Sequence, residues 1–156
     1  MLRAARHNDK EKIETLIKNC GDMNAASDTL GNTILMYSAQ NGNEEIVNLL
    51  IELDANVNAK SVDGFTALMV AAGGGHKQIV EKLIANGADI CARNDQNLTA
   101  IDYANQKYFD DIVQILLYEA YGYWPLALRG GGFKNQDTSA ACTNTEELLD
   151  LRVDYD

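Results

Sequence analysis

The sequence shows little sign of catalysis or of metal binding. It has two histidines, His7 and His76, and three cysteines, Cys20, Cys91 and Cys142. No two of them have the short spacing that brings a pair of ligands onto one metal ion. We therefore expect no metal site, no catalytic nucleophile and no cofactor.

Two glycine runs and two acidic pairs are the remaining candidates for chemistry. The run at residues 73–75 lacks the preceding strand and the following Gly-Lys-Ser/Thr of a phosphate-binding loop, and the run at 130–132 has the composition of a linker. The pairs Glu44-Glu45 and Asp110-Asp111 stand where helices are predicted to begin, a place where the helix dipole favours carboxylates. We interpret all four features as structural and predict that the chain is not an enzyme.

The elements that would carry any site are defined by an internal repeat of 33 residues. Three series of positions share this period, a coincidence that chance does not explain. They are Gly31, Gly64 and Asn97, then Ile13, Ile46, Ile79 and Ile112, and finally Ile17, Leu50, Leu83 and Leu116. A period of this length is typical of stacked repeat units.

The middle unit shows what each repeat contains. Thr66 can cap a helix with its hydroxyl, and the apolar stretch Ala67–Ala72 then predicts a short helix that stops at the glycine run. Apolar residues at helical spacing predict a longer helix over His76–Asn86, which Gly87 ends. Neither helix can bury its apolar face alone, so neighbouring units must stack.

The motif that runs from Gly64 to Ala72, followed by Gly75-His76 and by residues 87–90, resembles the ankyrin repeat, whose signature is Thr-Pro-Leu-His-x-Ala. The resemblance extends over residues 2–118, about three quarters of the chain. It implies an all-α fold, an ankyrin-repeat solenoid of about four units in which helix-turn-helix pairs are joined by β-hairpin loops.

One departure from the family pattern concerns proline, of which the chain has one, Pro125. The signature proline position is occupied by Ile34, Ala67 and Ala100 in the successive units. Proline suits the first helical turn but is not required there. Because the threonine before each of these positions is kept, we expect the helices to begin at the same places.

The resemblance and the composition together divide the chain. The predicted units are a capping unit at 1–27, repeats at 28–60, 61–93 and 94–120, an aromatic cap at 121–128, and a Gly-rich linker with an acidic tail at 129–156. We expect Tyr121, Tyr123 and Trp124 to fold back over the last helix pair, because a terminal unit has no neighbour to cover it.

In ankyrin-repeat proteins the loop tips and the exposed side of the first helices line a concave groove that binds other proteins. Carried over by position, the resemblance implies partner-binding roles for Leu30, Asn32, Tyr37, Gln40, Val62, Asp63, Phe65, Val70, Gly73, Asp95, Gln96, Leu98, Tyr103 and Gln106. Four of them (Leu30, Val62, Phe65 and Leu98) are apolar at positions where the stacking of units does not require an apolar residue. This favours either a role in partner binding or packing of the loops on one another. Gly73 and Gly74 are expected to leave the floor of the groove open, and we expect Met36 and Met69 in the core.

The charge of the chain limits the class of partner. The net charge is −10, which disfavours binding to the phosphates of nucleic acids and to acidic membrane surfaces. It favours a protein partner with basic character, mainly through electrostatic steering. Three cysteines argue against a disulfide framework and indicate a reducing, cytoplasmic location. We expect a monomer.

Our leading hypothesis is thus a non-catalytic protein-interaction module. Two alternatives stay open at this point. The array is a regulatory or targeting part of a larger enzyme or effector, which the change of composition after Leu128 suggests. Or the acidic segment Thr145–Asp156 lies in the array's own groove and inhibits partner binding.

Overall fold

The computed structural model describes Glu11, Ile13, Thr15, Asn24 and residues 28–121. The helices with defined bounds in this part of the chain are α1 (Ile34–Gln40), α2 (Glu44–Glu52), α3 (Ala67–Gly74), α4 (Lys77–Ala85), α5 (Ala100–Gln106) and α6 (Asp110–Tyr121). Glu11, Ile13 and Thr15 are helical as well. Apart from Tyr121, which ends α6, the predicted aromatic cap and the acidic tail lie outside the described residues, as does most of the capping unit. The unit boundaries stay a prediction.

The helices form two layers. In one layer α1, α3 and α5 lie side by side, and in the other α2, α4 and α6 do the same. Each first helix also packs on the second helix of its own unit. This arrangement confirms the all-α repeat solenoid that the period and the apolar spacing predicted.

The core between the layers is built from the residues that carry the repeat. Fully buried side chains include Ile46, Ile79 and Ile112 of one series and Leu50, Leu83 and Leu116 of the other. Ile13, the first member of its series, is also buried. The 33-residue register therefore places equivalent apolar side chains at equivalent depths, so that each unit buries the face its neighbour leaves open.

Threonine caps begin all three first helices. The hydroxyls of Thr33, Thr66 and Thr99 each accept a hydrogen bond from the backbone N–H three residues ahead, at 3.2, 3.3 and 3.4 Å. For Thr33 and Thr99 the side chain three residues ahead accepts the reciprocal bond from the threonine N–H. The caps account for helix starts without the family's proline, because they satisfy donors that the first turn leaves free.

Helix α3 is longer than the sequence predicted. It continues through Gly73 and Gly74 and ends at Gly75, which has the left-handed φ of +77° that stops a helix. The expectation that the whole glycine run ends the helix was wrong, because a helix tolerates glycine at a moderate cost when neighbouring helices pack on it. The next unit keeps the same left-handed turn at Tyr108, with φ +61°.

The loops between units turn sharply, but none of the residues in 28–121 lies in a strand. In the middle unit the Ser61 N–H donates to Phe65 O at 2.9 Å, too few such bonds for a ladder. Neighbouring loop tips are linked by backbone hydrogen bonds: Val62 N–H donates to Leu30 O at 2.8 Å, and Asp95 N–H donates to Asp63 O at 3.1 Å. These links hold successive tips in a row along one edge of the solenoid.

Candidate functional site

His76 has a structural position between two units. Its Nε2 lies 3.0 Å from the carbonyl oxygen of Gln40, and a carbonyl can only accept, so Nε2 carries the proton in this contact. The ring occupies the space that a Cβ on Gly42 or Gly74 would need. His76 thus joins the end of α1 to the start of α4.

The acidic pairs occupy the positions that the sequence indicated. Glu44 and Glu45 are in the first turn of α2, and Asp110 and Asp111 are in the first turn of α6. Asp111 lies 3.7 Å from the Lys77 ammonium, an exposed contact between α4 and α6. Within the described residues, no group of three or more His, Cys, Asp or Glu side chains is arranged to hold a metal ion.

Cys91 corrects the expectation drawn from the cysteine count. It is half-buried in the loop after α4 and is disulfide-bonded. An odd number of cysteines disfavours a complete disulfide framework, but it leaves room for one bridge.

The exposed side of the first helices holds a cavity of about 250 Å³, which we call the central cavity. It opens between α1 and α3, under the loop tips that precede them. Its lining residues are Leu30, Asn32, Met36, Tyr37, Gln40, Ser61, Asp63, Phe65 and Val70. Residues from the first helices and from two successive loops therefore converge at one place, where the sequence had predicted a groove.

A polar contact closes the unit on one side of the cavity. The Tyr37 hydroxyl donates a hydrogen bond to the Asp28 carboxylate, which also accepts from the backbone N–H groups of Leu30 and Asn32 at 3.0 and 2.9 Å. The side-chain amide of Asn32 donates to the same carboxylate at 2.9 Å. The side-chain hydrogen bonds from Asn32 and Tyr37 lower the pKa of Asp28 from 3.8 to about 2.

The equivalent contact recurs two units later, at Asn94 and Tyr103. The Asn94 amide donates to the Tyr103 hydroxyl at 2.8 Å, and its oxygen accepts from two backbone N–H groups of its own loop. The Tyr103 ring also packs on Phe65 of the preceding unit, with ring centroids 5.4 Å apart and planes tilted by 43°. Tyr103 thereby fills the space between α3 and α5.

The middle unit lacks this contact, and the cavity results from its absence. The corresponding residues, 33 positions from each neighbour, are Ser61 and Val70. Ser61 still organises its loop, since its hydroxyl accepts from the Phe65 N–H at 3.0 Å. Neither Ser61 nor Val70 reaches as far as a tyrosine, so the space between α1 and α3 stays open.

The loop tips present apolar and acidic side chains above this space. Leu30 is 54% exposed and Val62 is 66% exposed, and the backbone hydrogen bond between them keeps them adjacent. Asp63 and Asp95 are exposed on neighbouring tips. The cavity therefore has a wall of mixed apolar and polar side chains and a rim that carries negative charge.

A family model described as ankyrin repeats (3 copies) matches residues 1–94 and 54–124. The chain belongs to the ankyrin-repeat family. A search of curated proteins found no match. Ankyrin repeats are in general protein–protein interaction modules and are typically non-catalytic. In the described part of this ankyrin-repeat array, no helix is long and apolar enough to span a bilayer.

The predicted groove residues fall into two groups in the ankyrin array. Half of them line the central cavity: Leu30, Asn32, Tyr37, Gln40, Asp63, Phe65 and Val70. The others lie along the same side or on the tips: Val62, Gly73, Asp95, Gln96, Leu98, Tyr103 and Gln106, of which Gly73, Leu98 and Tyr103 are half-buried. The residue-level assignment to partner binding stays a prediction.

The two glycines expected to open the groove differ from each other. A Cβ on Gly73 would make an ordinary contact, 3.5 Å from the Cβ of Tyr103, so this position faces the groove side. A Cβ on Gly74 would lie 2.7 Å from the His76 ring. The expectation for Gly74 was therefore wrong, because Gly74 makes room for the histidine of its own unit, whose ring contacts Gln40 of the preceding unit, and not for a partner.

Sequence reasoning missed some residues that shape the site. Asp28 and Ser61 were not singled out, and Met36, buried as expected, also borders the cavity. The signal was available in the repeat: positions 28, 61 and 94 hold Asp, Ser and Asn, and positions 37, 70 and 103 hold Tyr, Val and Tyr. Comparing these columns identifies the middle unit as the exception.

Proposed function

We propose that this ankyrin array binds a partner protein through its concave side, at the loop tips and the exposed face of α1, α3 and α5, and performs no chemistry itself. The observation that carries the proposal is the pair of exposed apolar tips, Leu30 and Val62, beside the central cavity. Apolar side chains that no neighbouring unit covers mark interaction surfaces when they adjoin one another and a cavity.

The partner in this proposal has basic character. Asp63 and Asp95 are exposed on the tips, and the Asp28 carboxylate lies just behind them. The two cationic side chains of these loops, Lys60 and Arg93, donate to the carbonyl oxygens of Arg93 and Asn97, at 3.2 and 3.0 Å. A basic partner would be steered to this edge, so its association rate should fall as ionic strength rises.

The same charge argument extends the proposal to what the array does not bind. A chain with net charge −10 repels nucleic-acid phosphates and acidic membranes, so we propose neither as a partner. We propose that the protein is a monomer in the cytoplasm. Fractionation of the host cell under thiol-blocking conditions tests this location, and a protein whose Cys91 stays disulfide-bonded in the isolated fraction would contradict a reducing compartment.

The groove assignment is tested with a purified partner. Affinity capture from the native host with mass spectrometry identifies candidates, and calorimetry on the full chain measures their affinity. Replacing Leu30 and Val62 by serine should weaken binding by at least about tenfold, because both side chains lose their apolar contact. The matched control replaces Leu53, an apolar residue that is 38% exposed at the end of α2, by serine, and it should change the affinity little. Equal affinity of the double variant and the wild type would refute the groove assignment.

The two alternatives make different predictions. Inhibition by the acidic segment Thr145–Asp156 is disfavoured by charge, since residues 121–156 hold 3 basic and 6 acidic side chains and would meet an acidic rim. Truncation after Leu128 should then leave partner affinity unchanged, whereas an increase would support inhibition. A role as the regulatory part of a larger enzyme would be supported by a transcript that continues past Asp156.

A further inference from the structure

We propose that the central cavity receives one bulky apolar side chain of the partner, a phenylalanine, leucine or methionine, and that Asp63 at its rim pairs with a lysine or arginine next to that residue in the partner's sequence. This inference rests on the proposed groove function and specifies its recognition chemistry. It is carried by the cavity's size, by its charge and by the way the middle unit departs from its neighbours.

The size of the cavity suits a single side chain. Its volume is about 250 Å³, whereas an apolar cavity of roughly 150 Å³ in a protein core is enough to hold a benzene ring. Leu30, Phe65, Val70 and the buried Met36 supply the apolar part of the wall, and the rest of the wall is polar. An apolar side chain that enters would replace water against these groups, which is the main source of affinity at such a site.

The charge of the rim selects the residue beside the apolar one. Asp63 lines the cavity and is exposed, and Asp95 stands on the next tip, where its N–H is bonded to Asp63 O. Asp28 adds a third carboxylate through its contact with Tyr37, another lining residue. A lysine or arginine fits this field, and an acidic residue is repelled by it.

The repeat itself supplies the means to fill the cavity. Tyr103 packs on Phe65, and its ring lies against Gly73. One unit earlier, the residues equivalent to Phe65 and Gly73 are Asn32 and Gln40, and both line the central cavity together with Val70. A tyrosine at position 70 in the conformation of Tyr103 would therefore lie where we place the partner's side chain.

The test uses a random heptapeptide library displayed on phage and selected on the full chain. Wild type should enrich peptides with Phe, Leu or Met beside Lys or Arg. For a labelled peptide of this kind, Val70→Tyr should weaken binding by about tenfold or more, and Asp63→Asn by about three- to tenfold with a smaller salt dependence. Gln78→Tyr, which adds a tyrosine at a depression of about 180 Å³ between α2 and α4, and Asp54→Asn, which removes an exposed carboxylate at the end of α2, are the matched controls and should bind within about twofold of wild type.

Circular dichroism checks that the Val70→Tyr variant, in which the cavity is filled, still folds. A second filled variant combines Ser61→Asn with Val70→Tyr and so builds into the middle unit the counterpart of the contact between Asn94 and Tyr103. Selection of no peptides, or of peptides without the apolar–basic pair, overturns the inference. So does unchanged binding by both filled variants. If the filled variants bind normally while serine at Leu30 and Val62 abolishes binding, the groove function stands and only the cavity inference fails. If neither change matters, both fail.

Discussion

Gly42 offers a direct test of how the units fit together. It has a left-handed φ of +72°, and a Cβ built on it would lie 2.5 Å from Cε1 and 2.6 Å from Nδ1 of His76 in the next unit. Gly87 has a similar φ of +81°, but a Cβ there would meet nothing within 4 Å. The two glycines therefore separate the backbone cost of alanine from the cost of a collision.

The magnitudes follow from this difference. Alanine in the left-handed region costs about 1–2 kcal/mol, which is the whole effect expected for Gly87→Ala. Gly42→Ala adds a collision with a packed ring, an overpacking term of about 1–3 kcal/mol, so the free energy of unfolding should fall by about 2–5 kcal/mol. In a His76→Ala background the collision is gone, and Gly42→Ala should again cost only about 1–2 kcal/mol.

Urea unfolding followed by circular dichroism measures all four free energies of the cycle, with Gly87→Ala as the matched control. The expected coupling between positions 42 and 76 is about 1–3 kcal/mol. Equal costs for Gly42→Ala and Gly87→Ala would refute the reasoning. A Gly42→Ala cost that His76→Ala does not reduce would do the same, since the ring would then not be the group that occupies the space.

Three further predictions concern single side chains. Tyr108, 74% exposed with φ +61°, should give a protein about 1 kcal/mol more stable when replaced by glycine, and a lower unfolding midpoint would contradict the strain argument. Because the pKa of Asp28 falls from 3.8 to about 2 on folding, its carboxylate stabilises the fold above pH 3.8 and loses this effect as pH falls to 2. The stability advantage of wild type over Asp28→Asn should therefore shrink over that range, and a pH-independent difference would exclude the linkage. Thr66→Ala should cost about 1 kcal/mol in urea unfolding and Thr66→Ser little, whereas equal losses would mean that the hydroxyl does not cap α3.

The fold was predictable because its determinants recur along the chain. The threonine caps act on N–H groups three residues away, and the buried Ile and Leu series repeats every 33 residues, so both are visible without tertiary information. The backbone at Tyr108 was not predictable in this way. A tyrosine disfavours the left-handed region, and the packing of α5 and α6 imposes there the turn that Gly75 forms in the preceding unit.

The resemblance indicated the side of the array on which the cavity lies, but it did not predict the cavity itself. The cavity depends on the space that Ser61 and Val70 leave unfilled between α1 and α3. The apolar pattern of a single unit does not predict such a space. Gly74 was misassigned for the same reason, since the ring that occupies its free side belongs to His76 and interacts with Gln40 of another unit. Contacts between units can be predicted only when the distances between their side chains are known in addition to the repeat period.

The alternation of filled and open positions has a consequence for how such a protein can change. Residues 61 and 70 determine whether the space between α1 and α3 is open, and neither carries the helix stacking, which rests on the buried aliphatic series. The same two columns occur in the flanking units, as Asp28 with Tyr37 and Asn94 with Tyr103. Exchanging two side chains can thus open or fill one such space at a time, while the scaffold that displays them stays the same.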